Sequence, residues 1–148
     1  MTTRRELVSR LAAICGAPNV VWRREDLLVY EYDGTIEGTH PYAAVFPADA
    51  EETAAVVRVC NELGMPVTPR GAGTGLSGGS VPTRRGVVIG TSRMRRILEI
   101  DAANRIAVVE PGLPNIQRSE AAAAHGLFYA PDPSSQKACT IGGNVAEN

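Results

Sequence analysis

An α+β fold is predicted for this chain by three observations: a strand, helix, strand order in its first half, a candidate antiparallel hairpin in its second, and no repeat or low-complexity linker separating the two. The strand-rich second half also argues against a uniform doubly wound sheet. With 148 residues and 44% hydrophobic content, the chain can bury one sizeable core, so a single globular domain or a large piece of one is expected.

Each element has its own signal. Leu7, Leu11, Ile14 and Cys15 recur at helical spacing, and Gly16 can take the left-handed turn that closes a helix. Residues 20–34 (VVWRREDLLVYEYDG) are mixed in pattern and predict no single conformation; Trp22, Tyr30 and Tyr32 are expected to cover a neighbouring core. Residues 43–47 (AAVFP) read as a short buried strand. Asp49 and Glu52 stand at capping-box spacing before a stripe of Val56, Val59, Cys60 and Leu63, which ends at Gly64 and predicts a helix. Residues 67–70 form a brief strand leading into GAGTGLSGGSVP, and VVIG from Val87 is another strand candidate. ILEID and RIAVVEPG flank a polar turn at 102–104 and predict the hairpin. An alanine-rich helix from about residue 114 should end at Gly126, and LFYAPDPSSQ with ACTIGGNVAEN should form a second strand-then-loop unit.

Composition narrows function. Fifteen basic and sixteen acidic side chains leave a formal charge of −1, so nothing attracts a polyanion and nucleic acid is not an expected partner. No run of about 18 apolar residues exists to span a membrane. The amphipathic N-terminus, interrupted by Glu6, lacks the apolar stretch of a secretion signal, which predicts a cytoplasmic protein. Cys15, Cys60 and Cys139 are odd in number and far apart, so reduced thiols are expected instead of a disulfide framework or zinc site.

The chemistry concentrates between Arg70 and Ser80. Gly71, Gly73, Gly75, Gly78 and Gly79 impose a backbone entropy cost that phosphate binding would justify, since glycines let consecutive N–H groups turn toward one anion without Cβ atoms in the way. Thr74, Ser77 and Ser80 add hydroxyl donors, and Arg70 is expected to add a positive charge at the loop entrance. The letters also satisfy G-x-G-x-x-G, but Ser80-Val81-Pro82 continues a loop where that motif opens a helix. Walker A spacing is met as well, yet Gly79 stands where its lysine belongs. A flexible surface connection is the remaining alternative, countered by the alternation of the glycines with apolar Ala72 and Leu76.

The segments PRGAGTGLSGGSVP, RILEID, VVEPG, GLFYAPDPSSQ and CTIGGNVAEN occur in an order that resembles the FAD-binding, PCMH-type family typified by vanillyl-alcohol oxidase, and within it glycolate oxidase flavin subunits and D-lactate dehydrogenases. The resemblance covers nearly the whole chain. It implies an N-terminal helical segment over 1–40 and an FAD-binding domain over 41–148. That domain would hold a small parallel β-α-β subdomain followed by the start of a second, antiparallel-containing one. The implied cofactor contacts are Arg70, Gly71, Ala72, Gly73, Thr74, Gly75, Ser77, Gly78 and Gly79 at the diphosphate. Pro131, Asp132, Ser134, Thr140, Gly142, Gly143 and Asn144 are implied beside the flavin. Some relatives attach FAD through a His or Cys in or near the first loop; residues 70–80 contain neither, so noncovalent FAD is expected. The family's substrate arginines and catalytic or metal-binding histidines belong to a later region, so no catalytic residue is carried over, and the chain is expected to be a fragment, a truncated product or a piece completed by another polypeptide.

The remaining candidates have structural explanations. His125 sits in a last helical turn, where the helix dipole favours an imidazolium, and His40 lies in a loop, so no metal site is expected. Cys60 belongs to an apolar stripe and Cys139 is expected to pack. Arg93, Arg95 and Arg96 read as a solvated turn, and Glu110 and Asp132 lack the partner that would mark an acid–base pair. The resemblance therefore implies the FAD-binding portion of an oxidoreductase acting on a small D-2-hydroxyacid, glycolate or D-lactate, with an iron–sulfur subunit as the electron-accepting partner. The alternative is a noncatalytic FAD-binding or assembly module.

Overall fold

A computed structural model describes residues 3–36, 38–131, 134–135 and 137–147. Helix α1, Arg4–Cys15, starts at Thr3, whose side chain accepts from the Glu6 N–H, and buries Leu7, Leu11 and Cys15 as the periodicity predicts. The segment without a predicted conformation holds a two-residue strand, β1 (Val20–Val21), and one helical turn, α2 (Arg24–Leu27). Tyr30 packs against Phe46 with ring centroids 5.5 Å apart, but Trp22 and Tyr32 are about half exposed, so only one of the three aromatic residues covers the core.

Strand β2, Ala43–Val45, ends before Pro47, which has no N–H to extend a ladder. Helix α3, Ala50–Glu62, then begins at Asp49, whose carboxylate accepts the Glu52 N–H at 2.9 Å. The Glu52 side chain reaches back to the Ala48 N–H at 2.7 Å, one residue earlier than a capping box requires. Strands β3 (Val67–Arg70) and β4 (Val87–Gly90) complete a four-stranded sheet in the order β1-β2-β4-β3. Only β1 is antiparallel; β2 and β3 both run parallel to β4. Central β2 and β4 are buried throughout, while edge strand β3 alternates and can tolerate Pro69. One face of the sheet, through Ala43, Val45, Val87 and Ile89, packs on α1 and α3; Ala44 and Val88 face Leu27, Tyr30 and Phe46 on the other. Because β3 and β4 are parallel, the chain must return along the sheet between them, and residues 71–86 make that crossing without a helix. The glycine-rich loop is this crossing.

The second half is an antiparallel hairpin followed by helices. Strands β5 (Ile97–Asp101) and β6 (Ile106–Val109) pair with a register shift between Ile97 and Glu99. Asp101 accepts the Asn104 N–H at 3.0 Å, and Arg105, with φ 58°, belongs to the turn. Helix α4 spans Asn115–Ala123, short of Gly126, which adopts φ +70°.

Two expectations need correction. Residues 127–131 form no strand: Tyr129 lies against the Arg118 guanidinium and the Pro131 carbonyl accepts from Asn115 Nδ2 at 3.2 Å, so α4 side chains hold the segment in place of a ladder. The last motif is helical, as α5 (Ile141–Glu147), and not an open loop. Two glycines, each costing about 1 kcal/mol in a helix, hid it, but Asn144 N–H donates to the Thr140 carbonyl at 2.9 Å and Gly143 N–H to the Thr140 hydroxyl at 3.4 Å.

Candidate functional site

Arg70 closes β3 facing inward. Its Nη1 donates to the carbonyls of Tyr32 (2.7 Å) and Ser80 (3.4 Å), its Nη2 donates to that of Val29 (3.3 Å), and its guanidinium lies over the Tyr30 ring. Only 9% of the residue is exposed, and burial pulls its pKa down against the opposing influence of nearby Asp33. The charge expected at the loop entrance is instead a brace behind the loop. Gly73 explains part of this arrangement: it adopts φ +71°, and a Cβ there would stand 2.3 Å from Arg70 Nη2.

A second support comes from residues that the sequence reading passed over. The Gly34 N–H donates to the Gly75 carbonyl at 2.9 Å, which anchors the Asp33-Gly34 turn against the loop. Burial alone would raise the Asp33 carboxyl, but hydrogen bonds from Thr35 and Ser80, with Arg70 close by, outweigh it and hold the group below its ordinary value. An Asp-Gly dipeptide is a turn signal, and that was the clue available.

The loop in front of these braces differs between its main chain and its side chains. Among the described residues, the hydrogen bonds include none donated by the backbone N–H groups of residues 71–79. Gly71 meets the second motif so closely that a Cβ would lie 2.3 Å from Thr140 Oγ1. Thr74 Oγ1 stands 3.5 Å from Ser135 Oγ. Farther along, Ser77 donates to the Glu147 carboxylate, and added Cβ atoms at Gly75 and Gly79 would lie 3.4 and 2.8 Å from Glu147 Oε1. A carboxylate thus already rests against the hydroxyl and glycine surface expected to receive phosphate. Leu76, one of the two apolar residues set against a flexible surface connection, is 80% exposed.

The second group is docked as one unit. Asn115 N–H donates to the Cys139 carbonyl at 3.0 Å, Ile141 N–H to that of Leu113 at 3.0 Å, and Gly142 N–H to that of Pro111 at 2.8 Å. Asn144 turns an amide nitrogen inward that is buried and has no partner among the described residues. Thr140, Gly142, Gly143 and Asn144 therefore gather at the start of α5, and Thr140 joins them to the first loop. Among the described residues, exposed Pro131 reaches the group through its carbonyl bond to Asn115, and exposed Ser134 makes none of the contacts that join the two loops. Asp132 lies outside the described residues.

Two clefts open at the ends of the first loop. One, of about 530 Å³, borders Thr35, Leu76–Gly78 and Val81–Thr83; the other, of about 240 Å³, lies between Gly71, Ala72, Ser92, Arg95, Gly112 and Thr140. The arginine cluster that read as a solvated turn has three different fates. Arg93 donates to the Phe46 carbonyl at 2.8 Å, Arg96 pairs with Glu110 at 2.6 Å, and Arg95 borders the smaller cleft. Hydrogen bonds from Arg96 hold the Glu110 carboxyl below its ordinary value, so Glu110 serves as a fixed anion between the strands. Burial raises the Cys15 and Cys60 thiols to about 11, which leaves them unreactive at neutral pH.

A parallel strand pair joined by a donor-rich glycine crossing, with a second polar turn closing on it, defines the class: a nucleotide-cofactor-binding α+β domain. The chain belongs to the FAD binding domain family, whose sequence profile matches residues 41–148. It is 50% identical over 125 residues to the glycolate oxidase subunit GlcD of Escherichia coli (strain K12), covering 84% of this chain and 25% of that protein. To the D-lactate dehydrogenase of Archaeoglobus fulgidus it is 43% identical over 124 residues, covering 80% of this chain and 28% of that one. The chain thus spans about a quarter of the length of these relatives. An alkyldihydroxyacetonephosphate synthase structure superposes with a TM-score of 0.86 over 98% of this chain and 29% of its own at 21% identity, which establishes a shared fold. No helix among the described residues is long and apolar enough to cross a membrane.

The neutral donor set fits FAD. Among the described residues, the loop amides at 71–79 and the Asn144 amide have no partner, and with the nearby hydroxyls they can satisfy phosphate oxygens and flavin carbonyls with little net charge.

Proposed function

We propose that this chain holds FAD without a covalent link and forms the cofactor-binding part of an oxidoreductase that converts a small D-2-hydroxyacid, glycolate or D-lactate, to the 2-oxoacid. The observation that carries the reading is the convergence of the loop at 71–79 and the turn at 140–144 through the Gly71–Thr140 contact, each bringing donors that have no partner among the described residues. In this reading, amides of Gly71, Ala72, Gly73, Gly75, Gly78 and Gly79, with the hydroxyls of Thr74 and Ser77, hold the diphosphate. Thr140, Gly142, Gly143 and Asn144 orient the ring. Pro131, Asp132 and Ser134 border it, and Arg70 contributes through its main chain while its side chain keeps the loop in shape.

FAD, when bound, supplies the acceptor for the hydride equivalent leaving the substrate α-carbon. The residues of this chain bind and orient; Arg70 and Asp33 keep the loop preformed, which lowers the ordering cost of binding. Glycolate oxidation and D-lactate oxidation are suggested by the names of the relatives, and the word subunit in one of them supports an electron-accepting partner, for which we propose an iron–sulfur protein in the cytoplasm.

The test has two parts. The purified chain should be yellow and release all of its flavin on acid precipitation. A flavin that stays with the precipitate contradicts noncovalent binding, and a colourless chain that takes up no added FAD contradicts the reading. The longer protein carrying this segment should reduce a dye with glycolate or D-lactate. If it binds FAD but oxidises neither acid, a noncatalytic FAD module becomes the better description.

A further inference from the structure

The loop proposed to receive a diphosphate has lost its expected cation, because the Arg70 guanidinium is committed to three carbonyls behind it. At the loop's far end the charged neighbour is an acid, Glu147. A dianionic bridge would still gain from one positive group. Of the three arginines in the turn after β4, Arg93 is bonded to Phe46 and Glu52 and Arg96 to Glu110. Arg95 has no ion pair or side-chain hydrogen bond among the described residues, is exposed, and borders the cleft that contains Gly71, Ala72 and Thr140. Among the described residues, no other one bordering that cleft carries a charge.

We propose that Arg95 supplies the cationic contact to the phosphate oxygens of the bound dinucleotide at the Gly71–Ala72 end of the loop. The inference rests on the FAD reading above and adds a specific residue to it. Its geometry is set by the sheet: Thr91 N–H donates to the Arg70 carbonyl at 3.0 Å and Met94 N–H to the Thr91 carbonyl at 2.9 Å. The turn carrying Arg95 is therefore tied to the strand end from which the loop departs. Gly112 N–H donates to the Met94 carbonyl at 2.8 Å and fixes the turn from the side of the second motif. The arginine stands on backbone held from both halves, with no partner for its side chain among the described residues.

FAD titrations of the unsubstituted chain, Arg95→Gln and Arg95→Lys at low and high salt test this, with thermal melting and the visible spectrum of the bound flavin as controls. The Gln variant should bind FAD about tenfold more weakly, with a shallower dependence on salt, and Lys should recover most of the affinity. Melting temperature and flavin band positions should stay at wild-type values, since the contact is neither structural nor at the ring. Equal affinity in the Gln variant, or a band shift accompanying the loss, would overturn the assignment of Arg95 to phosphate. Failure of the unsubstituted chain to take FAD would remove the site reading itself, and this inference with it.

Discussion

Gly73 and Gly75 stand two positions apart in one loop, yet the structure constrains them differently. A side chain at Gly73 would need φ +71° and would collide with the Arg70 guanidinium, so Gly73→Ala should cost about 1–3 kcal/mol in a urea melt as well as weaken FAD binding. Among the described residues, a Cβ at Gly75 meets only the end of the Glu147 side chain, at 3.4 Å, so Gly75→Ala should keep the unfolding midpoint and lose flavin selectively. Sequence reading treats both as phosphate-facing positions, because nothing in the letters says on which side of the loop Arg70 lies. Arg70 itself should behave as structure: Arg70→Gln strands the carbonyls of Val29 and Tyr32 and should cost about 2–4 kcal/mol. Arg70→Lys should recover little of this in the same melt, since one ammonium cannot reproduce the fork.

At the scale of elements, the strands and helices that follow strong local rules were legible. Asp49 and Glu52 announced the start of α3, and Pro69 is consistent with the edge position that β3 occupies. Helix α5 was not legible, because its Gly142-Gly143 pair argues against a helix and its support comes from Pro111 and Leu113, distant in sequence. Its Glu147 carries a prediction. The carboxylate lies against Ser77 and Gly79, where it competes with an incoming diphosphate, so Glu147→Gln should tighten FAD binding a few-fold in a fluorescence titration. The β5–β6 pair carries another. Hydrogen bonds from Arg96 hold the Glu110 carboxyl below its ordinary value, so the folded chain binds fewer protons than the unfolded one. The stability this gives is full above the ordinary carboxyl pKa of about 4.3 and is lost as pH falls through the lower folded value. Thermal melts of Glu110→Gln should therefore show a shallower loss than wild type between about pH 5 and pH 2.

For the molecule as a whole, the two halves meet where the cofactor is proposed to lie. The sheet delivers the loop at the end of β3, the hairpin delivers Pro111 to Leu113, and α5 begins on that turn, so Thr140 arrives beside Gly71. The two residue groups could be read from the chain as separate motifs, but their meeting depends on the Pro114–Thr140 bridge, a tertiary pairing without a local sequence signal. Arg95 was hidden for the same reason: an arginine among arginines shows its role only when its neighbours' partners are known. The most direct measurement is an amide NMR titration of the chain with FAD. The N–H resonances of residues 71–79 and 140–144 should shift together and saturate at one equivalent per chain, while those of α1 and α3 stay still. Saturable FAD binding that leaves the 71–79 amides unmoved would contradict the account.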